Sequence, residues 1–205
     1  DMEKAIGLYQ KSLTIKDDVS VRIRLHQILR KTKGVANSFA PLEEWINNNP
    51  NDIRASGILA MGYQEAGEAQ KAAALYELVL KAQPQNILAL NNLGWLKFFD
   101  LNKKSEGIAH ARKASELSPE QPAVMDTLGW LLLNNGDLKE GTAPIKKAVT
   151  RMPNDPNIRY HLAYSLYLAG KKSQCRTELN SILKDSQDFS SRKEAEELLK
   201  KLGGQ

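Results

Sequence analysis

The chain has 205 residues, of which 41% are hydrophobic and 26% are charged, and its net charge is +5. This composition predicts a folded protein, and no run of about 18 apolar residues is present that could span a membrane. The 29 basic and 24 acidic residues are dispersed, which is typical of a solvated surface and does not favour nucleic-acid binding. With Cys175 as its one cysteine, the sequence excludes an internal disulfide and a multi-cysteine zinc site.

Three kinds of residue recur at intervals of about 34 along the chain. Prolines follow apolar helical stretches and mark their ends, because proline cannot continue a helix. A leucine, in most cases followed by a small residue, lies midway between the prolines, and a turn glycine comes after it. The prolines are Pro50, Pro84, Pro119 and Pro153, the leucines Leu25, Leu59, Leu93, Leu128 and Leu162, and the glycines Gly34, Gly67, Gly136 and Gly170. Each period therefore predicts a first helix, a short turn, a second helix and a stop.

In chain order, the periods begin with a partial unit and end with a cap. Residues 1–18 are predicted to be the second helix of a truncated repeat, since Ala5 and Tyr9 stand where Ala72 and Tyr76 do. Five complete units follow, at residues 19–52, 53–86, 87–121, 122–155 and 156–189. Residues 190–205 are predicted to be a capping helix and tail. The partial first unit predicts further repeats upstream, because it would otherwise leave apolar surface uncovered.

The second complete unit shows the pattern most fully. It reads Ser56-x-x-Leu59-Ala60-x-x-Tyr63, then Ala72-x-x-x-Tyr76, then Pro84. This resembles the tetratricopeptide repeat, with Trp/Leu-x-x-Leu-Gly-x-x-Tyr in its first helix, Ala-x-x-x-Phe in its second and a closing proline. The resemblance implies an all-α, right-handed superhelix of antiparallel helix pairs whose first helices line a concave face. The first unit departs from the pattern at His26, where a small residue is usual.

No recognisable catalytic or metal-binding motif occurs in the sequence. The three histidines, His26, His110 and His161, lack the spacing of paired metal ligands, and no phosphate-binding glycine loop or Gly-x-Ser-x-Gly turn is present. Cys175 falls at a site for a small buried side chain. The sequence therefore predicts a protein that is not an enzyme and uses no cofactor or metal.

The predicted binding surface is a stripe of residues on the first helices that points into the concave face. The stripe becomes aromatic only in the last three complete units. The candidate binding residues are Asn91, Trp95, Phe98, Asp126, Trp130, Leu133, Tyr160, His161, Tyr164 and Tyr167. Two interpretations stay open: the rings fill the seam between neighbouring first helices, or they form an exposed platform for an extended ligand. On the second, Asn91, Asp126 and His161 supply hydrogen bonds to the ligand.

One function of the resembling family is excluded by the residues. Repeats that hold the carboxylate tails of chaperones use Lys and Asn on one first helix, Asn on the next, and Lys and Arg on the third. Asn92 matches the central asparagine, but Gly57 and Met61 precede it and Ala123 and Thr127 follow it. That carboxylate clamp is absent.

A narrower resemblance covers residues 87–185. The succession is Asn91-Asn92-Leu93-Gly94-Trp95, then Asp126-Thr127-Leu128-Gly129-Trp130, then Ile158-Arg159-Tyr160-His161-Leu162-Ala163. It is similar to the C-terminal repeats of bacterial tetratricopeptide lipoproteins found with exosortase and exopolysaccharide systems. This implies a lipid-anchored parent protein in the periplasm or at the outer membrane that scaffolds polysaccharide export and holds a protein or peptide in its groove. The alternatives are a cytoplasmic peptide-binding adaptor and an accessory domain that stacks glycan rings.

Overall fold

The computed structural model describes residues 1–203, which contain twelve α-helices, one short 3-10 helix and no strand. The α-helices are α1 (Met2–Ile15), α2 (Val19–Lys33), α3 (Ala40–Asn48), α4 (Ile53–Glu65), α5 (Ala69–Ala82), α6 (Ile87–Phe99), α7 (Lys104–Leu117), α8 (Pro122–Asn134), α9 (Leu138–Arg151), α10 (Pro156–Leu168), α11 (Lys172–Asp185) and α12 (Arg192–Gly203). The predicted all-α class is confirmed. None of these helices is both long enough and apolar enough to cross a bilayer. Residues 204 and 205, the end of the predicted tail, lie outside the described residues.

The helices form two compact units, which we call unit 1 (Asp1–Lys103, α1 to α6) and unit 2 (Lys104–Gln205, α7 to α12). The core of unit 1 is built around the fully buried Leu42, Tyr76 and Leu93. In unit 2 the fully buried side chains include Leu179 and Ile182, which pack with the capping helix α12. The division falls within the predicted third repeat, between its two helices.

The recurring residues act as helix boundaries. Four first helices begin directly after an Asp or Asn whose side chain accepts hydrogen bonds from the first turn, which satisfies backbone N–H groups that lack a partner within the helix. These caps are Asp18, Asp52, Asn86 and Asp155. Four second helices end two residues before a repeat proline. The turn glycines have positive φ angles of 74° to 94°, and Asn102 takes this role in the third repeat with φ 54°; asparagine tolerates this left-handed region better than most residues.

The residue after the repeat leucine sets how closely the two helices of a pair approach. In unit 2, a Cβ atom added at Gly129 would lie 2.7 Å from the carbonyl oxygen of Gly141, so α8 and α9 cross where neither has a side chain. In the first pair of unit 1, α2 and α3, the equivalent residue is His26, which is buried with its Nδ1 2.8 Å from the carbonyl oxygen of Ser38. The second helix of that pair begins as a 3-10 turn (Val35–Ser38), and α3 has nine residues where α9 has fourteen.

Candidate binding surfaces

The predicted stripe of unit 2 forms a cluster that joins α8 to α10. The indole of Trp130 stacks on the imidazole of His161, with ring centroids 3.9 Å apart and an interplanar angle of 17°. The rings of Tyr160 and Tyr164 lie tilted or edge-on to the indole, at 5.8 Å and 5.1 Å. His161 Nδ1 lies 2.8 Å from Asp126 Oδ1. We call these five residues the aromatic cluster.

Within the aromatic cluster, burial separates two groups of residues. Tyr160 and His161 are each only 6% exposed, so the expectation that Tyr160 is exposed is wrong, and the side chain of His161 is also largely closed to solvent. Both side chains fill the space between α8 and α10, and burial raises the pKa of Tyr160 above its ordinary value. Trp130, Tyr164 and the neighbouring Tyr167 stay half-buried. These three therefore present ring surface on the outside of a closed seam.

The polar residues of the aromatic cluster are already paired. The hydrogen bond between His161 and Asp126 uses one ring nitrogen and one carboxylate oxygen, and the side chains are 8% and 14% exposed. A carboxylate beside an imidazole fixes which ring nitrogen carries the proton and how the ring is oriented. The pair thus holds the imidazole flat against the indole.

The stripe of unit 1 is rotated from its predicted position. Phe98 was expected on the exposed side of α6 but is 3% exposed, whereas Phe99 is 38% and Leu88 49% exposed. At about 100° per residue, Leu88, Trp95 and Phe99 fall within about 40° of one another, and Phe98 lies about 80° from Leu88 on the side that packs inward. The indole of Trp95 is half-buried, with its ring 4.6 Å from that of Phe99.

Leu133 repeats this rotation in unit 2. It was predicted to lie in the binding stripe but is buried, because it comes three residues after Trp130, as Phe98 comes three after Trp95. Its Cδ2 atom lies 3.0 Å from the position that a Cβ of Gly141 would occupy. Leu133 therefore belongs to the contact between α8 and α9 and does not lie on the exposed side of α8, where it was expected.

A cavity that the sequence did not predict opens in unit 1 among α4, α5 and α6, with a volume of about 330 Å³. Buried Tyr76 and Val79 line its base, and Gly57, Met61 and Leu88 line its sides. A Cβ atom at Gly57 would meet nothing within 4 Å. Met61, 45% exposed, keeps apolar surface open to solvent beside it. We call this cavity the unit 1 pocket.

Polar residues surround the unit 1 pocket. Arg54, Gln83 and Asn86 also line it. The hydroxyl of the lining residue Tyr76 donates to Gln64 Oε1 at 3.0 Å, and burial raises the pKa of Tyr76 to about 12.

Next to the unit 1 pocket, α6 carries two asparagines with different surroundings. Asn92 Nδ2 donates to the Tyr76 hydroxyl at 2.9 Å. The predicted site residue Asn91, one turn after Leu88, has a buried Oδ1 to which no described residue donates a hydrogen bond. A buried amide oxygen without a donor is costly, and this one belongs to a residue on the same side of α6 as Leu88 and Trp95.

No family model matches the chain. A TPR repeat-containing protein of Pseudomonas aeruginosa is 22% identical over 163 residues, which cover 78% of this chain and 28% of the relative. The chain thus spans about a quarter of the length of that curated relative.

Solved structures with the same fold have little sequence identity to this chain. A tetratricopeptide repeat protein from Parabacteroides merdae superposes with a TM-score of 0.79 at 17% identity, covering 93% of this chain and 75% of that one. YrrB, described as a TPR protein with an unusual peptide-binding site, superposes with a TM-score of 0.64 at 15% identity, covering 88% of this chain and 93% of that one. At such identities the similarity shows the fold alone.

Proposed function

We propose that this tetratricopeptide repeat protein is a non-enzymatic scaffold that binds a protein or peptide partner on the outward sides of its first helices. The observation that carries the proposal is the apolar surface left open there. In unit 1, Met61, Leu88 and Phe99 are each more than a third exposed, and in unit 2 Trp130 and Tyr164 are half-buried. Soluble proteins rarely leave grouped apolar side chains open except where a partner binds.

The type of partner follows from the shape of these surfaces. A row along α6 from Leu88 to Phe99 covers twelve residues, a rise of about 16 Å, which suits a peptide segment or a helix better than a small metabolite. The peptide-binding site in the description of YrrB belongs to that protein, and it supports the proposal through the shared fold. Among the described residues no three His, Cys, Asp or Glu side chains are grouped so as to hold a metal ion.

The test is an unbiased selection of displayed peptides on the purified chain, followed by titration of labelled selected peptides. We expect Leu88→Glu to raise the Kd of peptides bound at unit 1 by tenfold or more, because a charge then replaces an apolar contact. The matched control is Ile15→Glu on α1, where Ile15 is 80% exposed. Failure to select any peptide, or equal losses for both variants, would refute the proposal.

We further propose that the parent protein works in the bacterial envelope, in exopolysaccharide export or assembly. Support comes from the three successive repeats around Trp95, Trp130 and His161 that resemble envelope lipoproteins. Spheroplasts of the source organism, treated with protease and probed with an antibody to this chain, test it: degradation supports the envelope location and full protection contradicts it. Binding of an oligosaccharide, with no peptide selected, would favour glycan stacking on Trp130 and Tyr164 instead.

A further inference from the structure

We infer that the unit 1 pocket binds one apolar side chain of an acidic peptide segment, with a neighbouring carboxylate of that segment paired to Arg54. This inference rests on the proposed function and names the chemistry of the partner. It depends on the size of the pocket, on its lining and on the absence of a carboxylate partner for Arg54.

The pocket exists because α4 has a glycine where other first helices carry a side chain. Gly57 lies two residues before the repeat leucine. The equivalent residues in the other first helices are Ile23, Asn91, Asp126 and Tyr160. The volume of about 330 Å³ is at the low end of the range of about 300 to 1,000 Å³ for ligand sites. It therefore suits a single anchor of the size of leucine, methionine or phenylalanine, held by Met61 and Leu88.

The charge beside the pocket is a single arginine. Arg54 is exposed at the pocket and has no ion-pair or hydrogen-bond partner among the described residues. Of the other three arginines of unit 1, Arg22 is paired with Asp17 and Arg30 with Glu65. Arg24, like Arg54, is exposed without an ion pair among the described residues, but it lines no part of this pocket. A guanidinium presents two parallel donors that match a carboxylate, so an acidic side chain is its best complement.

The other polar residues that line the pocket are uncharged, and some of their hydrogen-bonding groups already have partners. Asn86 caps α6 by accepting from the backbone N–H of Ala89 at 3.0 Å, and its amide donates to Gln83 Oε1 at 2.9 Å. The Gln83 amide nitrogen then stays available as a donor to a peptide carbonyl. One guanidinium and one amide beside apolar walls suit a peptide, whereas a phosphate group needs several converging donors.

Two substitutions test the anchor and the charge separately on the full chain. Nine-residue displayed peptides are selected on the wild type, and a labelled selected peptide is titrated by fluorescence anisotropy. We expect the selected peptides to share an apolar residue with Asp or Glu one or two positions away. Gly57→Leu fills the pocket and Arg54→Glu reverses its charge, so each should raise the Kd tenfold or more. A new selection on Arg54→Glu should enrich Lys and Arg instead.

Two matched controls carry the same chemical changes elsewhere. Gly7→Leu adds the same side chain to α1, where a Cβ also meets nothing within 4 Å. Lys146→Glu makes the same change in net charge on the exposed side of α9. Both should bind the peptide as the wild type does, and circular dichroism checks that all four variants fold.

The outcomes separate this inference from the proposed function. Peptides that bind Gly57→Leu and Arg54→Glu as tightly as wild type, but lose affinity for Leu88→Glu, would overturn the pocket and leave the scaffold standing. Selection of basic or uncharged peptides at the pocket would overturn the role of Arg54. If the wild type selects no peptide at all, both proposals fail.

Discussion

Equivalent positions of the repeat produce a closed seam in unit 2 and an open pocket in unit 1. Two residues after the repeat leucine, Trp130 of α8 stacks on His161 of α10, whereas Met61 of α4 stays 45% exposed beside a cavity. The difference comes from the residue two positions before the repeat leucine. In α8 this residue is Asp126, which holds the ring of His161 against the indole, whereas in α4 it is Gly57, which has no side chain. Two or three side chains therefore decide whether this part of a repeat packs against a neighbouring helix or stays open to a partner.

The largest expected effect is on stability, and it should differ between Trp130 and Trp95, which both lie two residues after a repeat leucine. Trp130→Ala should lower the free energy of unfolding of unit 2 by about 3 to 4 kcal/mol, because it removes the stack on His161 and the contacts with Tyr160 and Tyr164. Trp95→Ala should lower the stability of unit 1 by about 1 to 2 kcal/mol, since its ring contact is with Phe99 of the same helix. Urea denaturation followed by circular dichroism measures both. Equal losses would show that the seam of unit 2 is no tighter than the surface of α6.

A glycine of unit 2 gives the next largest effect. Gly129→Ala should destabilise the α8–α9 pair by about 2 to 3 kcal/mol, because the new Cβ would lie 2.5 Å from Ile145 Cγ1 and 2.7 Å from the Gly141 carbonyl oxygen. The backbone at Gly141 cannot move away from the new methyl group as a flexible side chain could. Thermal and urea melts of the variant measure the loss. A stability within 0.5 kcal/mol of wild type, which is about what a surface substitution gives, would mean that the helices separate easily there.

The fold was predictable because its boundaries depend on local backbone chemistry. Proline disfavours continuation of a helix and glycine adopts positive φ, so the repeat residues Pro84 and Gly67 follow a helix end and form a turn. Proline alone is not enough, because Pro144 lies inside α9. The one repeat without a turn glycine was also visible in the sequence. In this third repeat Asn102 stands at the turn and takes the left-handed conformation.

The binding surface was only partly predictable. A stripe counted at i, i+4 and i+7 covers only about 60° around a helix of 3.6 residues per turn, and its offset from the exposed side placed Phe98 outside and overlooked Phe99. The pairing of Asp126 with His161 left a signal, since the two are 35 residues apart, about one repeat length. The sequence signal for the unit 1 pocket was weaker and consisted of one glycine within the stripe. The volume of the pocket depends on how three helices pack, and a single residue does not reveal that.

A smaller effect contrasts the buried histidine of each unit. His161 contacts a carboxylate, while His26 contacts the carbonyl oxygen of Ser38, and burial lowers the pKa of His26 below its ordinary value. The unfolded chain then takes up the proton first, so the stabilisation is complete above about pH 6.5 and is lost as the pH falls below it. Between pH 7.5 and 5.5 this one group can remove at most about 1.4 kcal/mol.

Comparison with His26→Gln isolates that contribution. Glutamine keeps a donor for the Ser38 carbonyl oxygen and does not titrate, so the variant should lose less stability than wild type on acidification. Urea denaturation at the two pH values measures the difference, and the NMR shift of the His26 ring protons follows the titration directly. Equal pH dependence in the two proteins would refute the assignment.

The smallest effect has the opposite sign and returns to the unit 1 pocket. Gly57→Ala should raise the stability of unit 1 by about 0.5 to 1 kcal/mol, because alanine reduces the conformational entropy of the unfolded chain and its methyl meets nothing within 4 Å. The same substitution at Gly129 should destabilise the α8–α9 pair. The two variants therefore make one identical change at an exposed helix face and at a close helix crossing. Such a gain would show that stability does not require a glycine at position 57 and would favour the space it leaves for a partner's side chain as the reason for its presence. A loss of stability in Gly57→Ala would show instead that the helices need this glycine, and the pocket would then be a by-product of packing.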